Sequence, residues 1–256
     1  MLEQNKTVAM IKKHTKYTRS GVIKSFSGSQ FGNTLLQNYL ITLYGSQEED
    51  CISQSDIGSV FHKGMEDIFR TESFSNNNPE FIFLENKVSR ELPNGWALTG
   101  TIDRTHPILG ADNHTQIRDY KLTKKYSGKT VHKEWYHPYK LQLNSYLYSS
   151  TKLLKPTKLF LDLFYKDADV LLKEPGYEEI EVPVFEDFEE IALRVTDELE
   201  AAIDSGITPP ECTVKEKWLR KLKSGNTVPS RCMAYCGVAS KCPYYQTSLK
   251  SQIAGW

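Results

Sequence analysis

The stretch Leu98–Lys124, LTGTIDRTHPILGADNHTQIRDYKLTK, constrains the rest of the chain most, because it spells two strands that turn back on each other. The alternation through Gln116, Ile117, Arg118, Asp119, Tyr120, Lys121 and Leu122 has the period of two of a strand, so Asp119 and Lys121 project from one face. Pro107, Gly110, Asp112 and Asn113 supply turn chemistry between the two runs, and the second strand should fold back beside the first. Asp103 then comes near Asp119, with a lysine alongside.

Two carboxylates held close repel each other unless something neutralises them, and a hard divalent cation with oxygen ligands does this at phosphate-processing sites. The residues Gly100-Thr101-Ile102-Asp103 and Asp119-Tyr120-Lys121 resemble the "G-x-x-D … D-Y-K" of the PD-(D/E)XK nucleases, and within them of the RecB-like exonucleases. That branch carries "G-x-x-x-H" on a helix ahead of the sheet, and Gly58-Ser59-Val60-Phe61-His62 fits it. It also carries "Q-x-x-x-Y" after the lysine. Gln142 and Tyr146, four apart on an expected helix from about Glu134 to Leu154, share a face and match that pattern. The resemblance implies Asp103, Asp119, Lys121, Gln142 and Tyr146 as catalytic residues. It implies Mg2+ or Mn2+ held by His62, Asp103, Asp119 and the Tyr120 carbonyl. Imidazole suits manganese better than magnesium. Glu85 lies on the preceding strand, where many relatives have a glutamate, but beside Lys87, Arg90 and Glu91 it reads as a solvent-facing charge.

Around this centre the chain reads as α/β. Leu35, Leu36, Tyr39, Leu40 and Leu43 recur at helical spacing, with Gly45 placed to end the helix. Asp56 is placed to cap a second helix running to about Arg70. Phe81–Leu92 and Trp96–His106 should form a hairpin through Pro93-Asn94-Gly95. Strands follow at Lys158–Tyr165 and Glu178–Val184, then an amphipathic helix over Glu186–Asp204. Residues 1–30 read as a polar, basic arm and loop. The expected architecture is a restriction-endonuclease-like core, a mixed central sheet flanked by helices, with a cysteine-ligated metal tail. Residues 1–205 make the nuclease domain, its catalytic core starting near residue 55, and 206–256 the tail.

Zero net charge, 39% hydrophobic and 25% charged residues fit an ordinary globular chain. No long apolar run and no signal-like N-terminus is present, so the expectation is a cytoplasmic address, host cytoplasm if phage-encoded, and no membrane. The charge is segregated. Acids dominate Lys173–Glu200, whereas Arg118–Lys140 is basic, which suits one phosphate-facing side. Within the basic run, Lys124, Lys125, Lys129 and Lys133 interleave with Tyr126 and Trp135, a pattern for phosphate contact and base stacking.

Four of the five cysteines, Cys212, Cys232, Cys236 and Cys242, fall in the last 45 residues, which favours a metal over disulfides. The last three, followed by Pro243, resemble the C-terminal trio that binds a 4Fe-4S cluster in one group of RecB-like nucleases, although Cys232-x3-Cys236 departs from the usual x2. Cys51 lies where that family's distant ligand stands; Cys212 is nearer and is preferred. Zinc remains the alternative metal. The function implied is a DNA exonuclease acting from ends, on single strands, in recombination, repair or phage DNA processing, with a possible helicase or recombination partner. A restriction-type endonuclease and a non-catalytic DNA-binding subunit are the competing readings.

Overall fold

The computed structural model describes residues 24–45, 52–75, 83–107, 114–123, 137–150, 155–165, 176–213, 219–221, 227–229, 232 and 236–248. They divide into two compact units. One draws on Ile23–Gly32 and Asp56–Arg194, the other on Asn33–Ser55 and Val195–Trp256.

The first unit holds a six-stranded mixed sheet. Its strands are β1 (Lys24–Ser27), β2 (Phe83–Glu91), β3 (Trp96–Pro107), β4 (His114–Thr123), β5 (Lys155–Tyr165) and β6 (Tyr177–Val182). β2 and β3 form the expected hairpin. Gly95 takes φ of 81°, the left-handed conformation that glycine adopts without steric cost, and the Leu92 amide donates to the Trp96 carbonyl at 2.7 Å. β4 runs antiparallel to β3, then parallel to β5, and β6 returns antiparallel.

β3 is shared unusually. β2 pairs with it from Ala97 to Thr105 and so occupies one edge. On the other edge β1 pairs in parallel with Trp96–Thr99, and β4 takes Arg104–Pro107. Gly100–Asp103 lie in the fork between these two partners.

Helices cover both faces. α2 (Ile52–Ser75) precedes β2, α3 (His137–Ser150) links β4 to β5, and α4 (Phe188–Ser205) follows β6. Alternation along β5 sends Leu159, Leu161 and Leu163 to one face, where they pack with Ile102, Ile117 and Leu143 of α3, all at 0% exposure. Burial of each such side chain contributes roughly 1.5–3 kcal/mol. The opposite face meets α2. Phe61 lies 5.0 Å from Phe164 and Phe69 lies 5.8 Å from Tyr120, centroid to centroid. On that face the buried Asp162 accepts from Arg118 and from the Tyr177 hydroxyl, which compensates burial of its charge.

The second unit contains α1 (Leu35–Tyr44), a short hairpin of β7 (Leu219–Lys221) and β8 (Thr227–Pro229), and α5 (Pro243–Ser248). α1 opens with a capping box. Thr34 Oγ1 accepts the Gln37 amide at 3.2 Å, and Gln37 Oε1 accepts the Thr34 amide at 3.1 Å. Gly45, at φ of 74°, closes the helix as expected. No helix among the described residues is long and apolar enough to cross a membrane.

Two expectations need correction. Residues 24–27, expected in the arm and loop, form β1, and a 3-10 turn follows over Gly28–Gly32. The pairing partner Trp96–Thr99 is remote in sequence, so the four residues KSFS carry no local strand signal. Helix α2 starts at Ile52, so Asp56 lies within it rather than capping it. Residues 53–55, Ser-Gln-Ser, are compatible with a helix, and the helix extends through them.

Candidate functional site

The fork in β3 gives the site its shape. Beside Asp103 no ladder partner continues from β4, and the Tyr120 amide donates instead to Asp103 Oδ2 at 2.7 Å. The carboxylate thus accepts from an amide that would otherwise seek a backbone carbonyl. Its other oxygen, Oδ1, lies 3.4 Å from His62 Nδ1 on α2. This contact raises the His62 pKa, outweighing partial burial.

Asp119 is 1% exposed and lies 2.7 Å, Oδ2 to Nζ, from Lys121, the same-face placement read from the alternation of β4. Burial pushes the Asp119 carboxyl up to about 6, against the pull of the Lys121 ammonium. Asp103 nearby pushes in the same direction as burial. Burial alone would lower the Lys121 pKa, but the Asp119 and Asp103 carboxylates outweigh it, so the lysine stays protonated. Asp119 Oδ1 is buried with no hydrogen-bond partner, an acceptor that a cation would satisfy. The Tyr139 ring lies 5.3 Å from Lys121 Nζ.

Glu85, read from the sequence as a solvent-facing charge, is exposed, and it also stands beside His62 and Asp103. Ligand atoms of His62, Glu85 and Asp103 lie within 4.8 Å of one another. Glu85 also takes φ of 52°, the left-handed region, in the middle of β2. That conformation costs a non-glycine residue energy and is found at functional sites held by their surroundings. The charge pattern of β2 hid it, since only the placement of α2 and β3 around Glu85 reveals its company.

Gln142 and Tyr146 meet on α3, where Gln142 Nε2 donates to Tyr146 Oη at 2.6 Å. The tyrosine ring presses against Gly100, where a Cβ would lie 2.4 Å from Tyr146 Cε1, and against Gly28, where it would lie 3.0 Å from the same atom. Both positions admit glycine for lack of room. The negative charges of Asp119 and Asp103 and the Lys121 ammonium all bear on the Tyr146 hydroxyl, which places it in the electrostatic field of the acids.

The four tail cysteines are in the thiol form and line one cavity of the second unit together with Leu36, Leu40 and Val238. Cys212, preferred as the fourth member, is among them. Burial raises the Cys242 pKa, and Cys236 and Cys212 add to the effect through their proximity. Cys51, Lys124, Lys125, Tyr126, Lys129, Lys133 and Trp135 lie outside the described residues.

Residues 75–243, well over half of the chain, match the PD-(D/E)XK nuclease superfamily, and the chain belongs to it. His62 lies ahead of the matched residues. The fold is similar to the crystal structure of SSO0001, at 16% identity over 96% of this chain and 97% of that one, with a TM-score of 0.56. An alkaline exonuclease from Laribacter hongkongensis, LHK-Exo, aligns at 13% identity over 72% of this chain and 91% of that one, with a TM-score of 0.42. No curated protein matches the chain.

A pH dependence follows from the two raised groups. Asp119 is near 3.9 in an unfolded chain and at about 6 when folded, so ionising it costs folding free energy as pH rises through that window. His62, also raised, adds a loss of the same sign above its unfolded value. Without divalent cation the melting temperature should therefore be higher at pH 5 than at pH 7.5. Mg2+ or Mn2+ should raise it at pH 7.5 and do little at pH 5, where a proton occupies Asp119. Melting curves of Asp119→Asn should lack most of this dependence; an unchanged dependence would contradict the assignment to Asp119.

Proposed function

We propose that this chain is a divalent-metal-dependent deoxyribonuclease of the RecB-like branch, hydrolysing phosphodiester bonds from DNA ends and preferring single strands, in recombination, repair or phage DNA processing. The reading is supported above all by the donor group of His62, Glu85 and Asp103, with the Asp119–Lys121 pair on the neighbouring strand.

In this proposal Asp103, Asp119, His62 and Glu85 hold Mg2+ or Mn2+, joined by the Tyr120 carbonyl. A bound ion of this kind lowers the pKa of water and screens phosphate charge. The chain supplies the rest. Tyr120 and His62, each on one oxygen of Asp103, fix its carboxylate. Lys121, kept charged by Asp119, offers a fixed cation where negative charge grows on the phosphate oxygens. Gln142, restrained by Tyr146, orients the substrate strand or the lysine. Lys124, Lys125, Tyr126, Lys129, Lys133 and Trp135 follow directly on β4, a position suited to holding the incoming strand.

Cys212, Cys232, Cys236 and Cys242 would hold a 4Fe-4S cluster, with zinc as the alternative, and such a centre would fasten the tail covalently. Their common apolar cavity suits either metal. Among the described residues, His62, Glu85 and Asp103 are the group whose donors gather within 4.8 Å.

The test is digestion of end-labelled linear and covalently closed DNA with Mg2+ or Mn2+. Linear single strands should be degraded and closed circles spared, with binding weakening as salt rises. Rapid cutting of closed circles would mark an endonuclease. Binding without any cutting would mark a silent DNA-binding subunit.

A further inference from the structure

One hydroxyl joins the start of α1 to the cysteine cavity. Thr34 Oγ1 accepts the Gln37 amide at 3.2 Å and stands 3.3 Å from Cys212 Sγ, 178 positions away in sequence. A hydroxyl has a single proton to donate, and with a lone pair engaged by the Gln37 amide that proton is available to the sulfur. The reciprocal bond from the Thr34 amide to Gln37 Oε1 restrains the turn that carries the hydroxyl. Leu36, Gln37 and Leu40 of the same helix line the cavity with all four cysteines.

We propose that Thr34 is a positioning residue for a metal–thiolate centre in this cavity, donating its hydroxyl proton to Cys212 and so holding that sulfur as the fourth ligand. This rests on the reading that the four cysteines bind a metal. Leu36, Leu40 and Val238 give the cavity apolar walls, and a charge-assisted hydrogen bond from Thr34 stabilises the ligating form of the Cys212 sulfur there. The same bond offers Cys212 an anchor that its local sequence lacks. Cys232, Cys236 and Cys242 are spaced closely, whereas 19 residues separate Cys212 from Cys232.

The two duties of the hydroxyl can be separated by substitution. Thr34→Ser keeps both the cap and the proton. Thr34→Gly and Thr34→Asp remain competent N-caps but have no side-chain proton to give at neutral pH. Iron and zinc content of the full-length protein purified without oxygen is measured first. Loss of metal to a chelator is then timed for each variant, with circular dichroism as the check on helix content. Thr34→Ser should lose metal at the wild-type rate. Thr34→Gly and Thr34→Asp should lose it about tenfold faster or more, the worth of one hydrogen bond to a charged group. Cys212→Ser should lower the metal content outright. Wild-type retention in both Thr34→Gly and Thr34→Asp would overturn the inference while leaving the metal centre standing. A wild-type protein with neither iron nor zinc would overturn the centre itself, and Thr34's role with it.

Discussion

Replacing Lys121 with Met should lower metal-dependent DNA cleavage by about 10²–10³-fold or more, the cost of losing one preorganised charge at a developing oxyanion. The same change should move the pH dependence of cation binding upward. Lys121 is the main influence holding the Asp119 carboxyl down against its burial, so without the ammonium the carboxyl keeps its proton to higher pH. Asp119→Asn should abolish cleavage by another route, since it removes the proposed ligand and leaves Lys121 beside a neutral amide. The pair acts as a unit, and the double variant should be little worse than either single one. Cleavage of end-labelled DNA, cation titration at two pH values and circular dichroism together check these expectations. Full activity in folded Lys121→Met would remove the lysine from the mechanism.

What made this pair legible was its locality. Asp119 and Lys121 are two residues apart on one strand, and the period of two alone places them on the same face. The β2–β3 hairpin was legible for the same reason, because Asn94-Gly95 states its turn within a few residues. Gln142 and Tyr146, one helical turn apart, likewise meet as their spacing requires.

Glu85 and β1 show where locality fails. Glu85 enters the site only because α2 carries His62 to Asp103, and its left-handed backbone leaves no mark in a sequence of alternating charges. β1 exists because Trp96–Thr99 offers it a free edge, and that edge is free only because β4 diverges from β3 beyond Arg104. The fork is a property of three strands together. His62 was reached through a motif resemblance, since an isolated histidine on a helix carries no sign of the carboxylate it will meet.

The fork also gives Gly100 a reason that its backbone does not. Gly100 is not among the glycines with positive φ, so no conformational demand excludes alanine there. The demand is space. A Cβ at Gly100 would lie 2.4 Å from Cε1 and 2.8 Å from Cδ1 of Tyr146, far inside ordinary contact. Gly28 approaches the same ring, since a Cβ built there would lie 3.0 Å from Cε1. Gly100→Ala should therefore tilt the ring and break the 2.6 Å bond from Gln142 to the tyrosine hydroxyl. Overpacking of this kind costs about 1–3 kcal/mol of stability. Misplacing a positioning group by about 1 Å can cost about 10²-fold in rate, and a loss of that order is expected for Gly100→Ala. Gly64→Ala is the matched control. Gly64 lies in α2 with nothing within 4 Å of a built Cβ, so alanine there should add roughly 0.5–1 kcal/mol of stability and leave cleavage unchanged. Melting temperature and cleavage rate measured on both variants separate the two outcomes. Wild-type cleavage by a folded Gly100→Ala variant would show that the Gln142–Tyr146 arrangement is dispensable to the reaction.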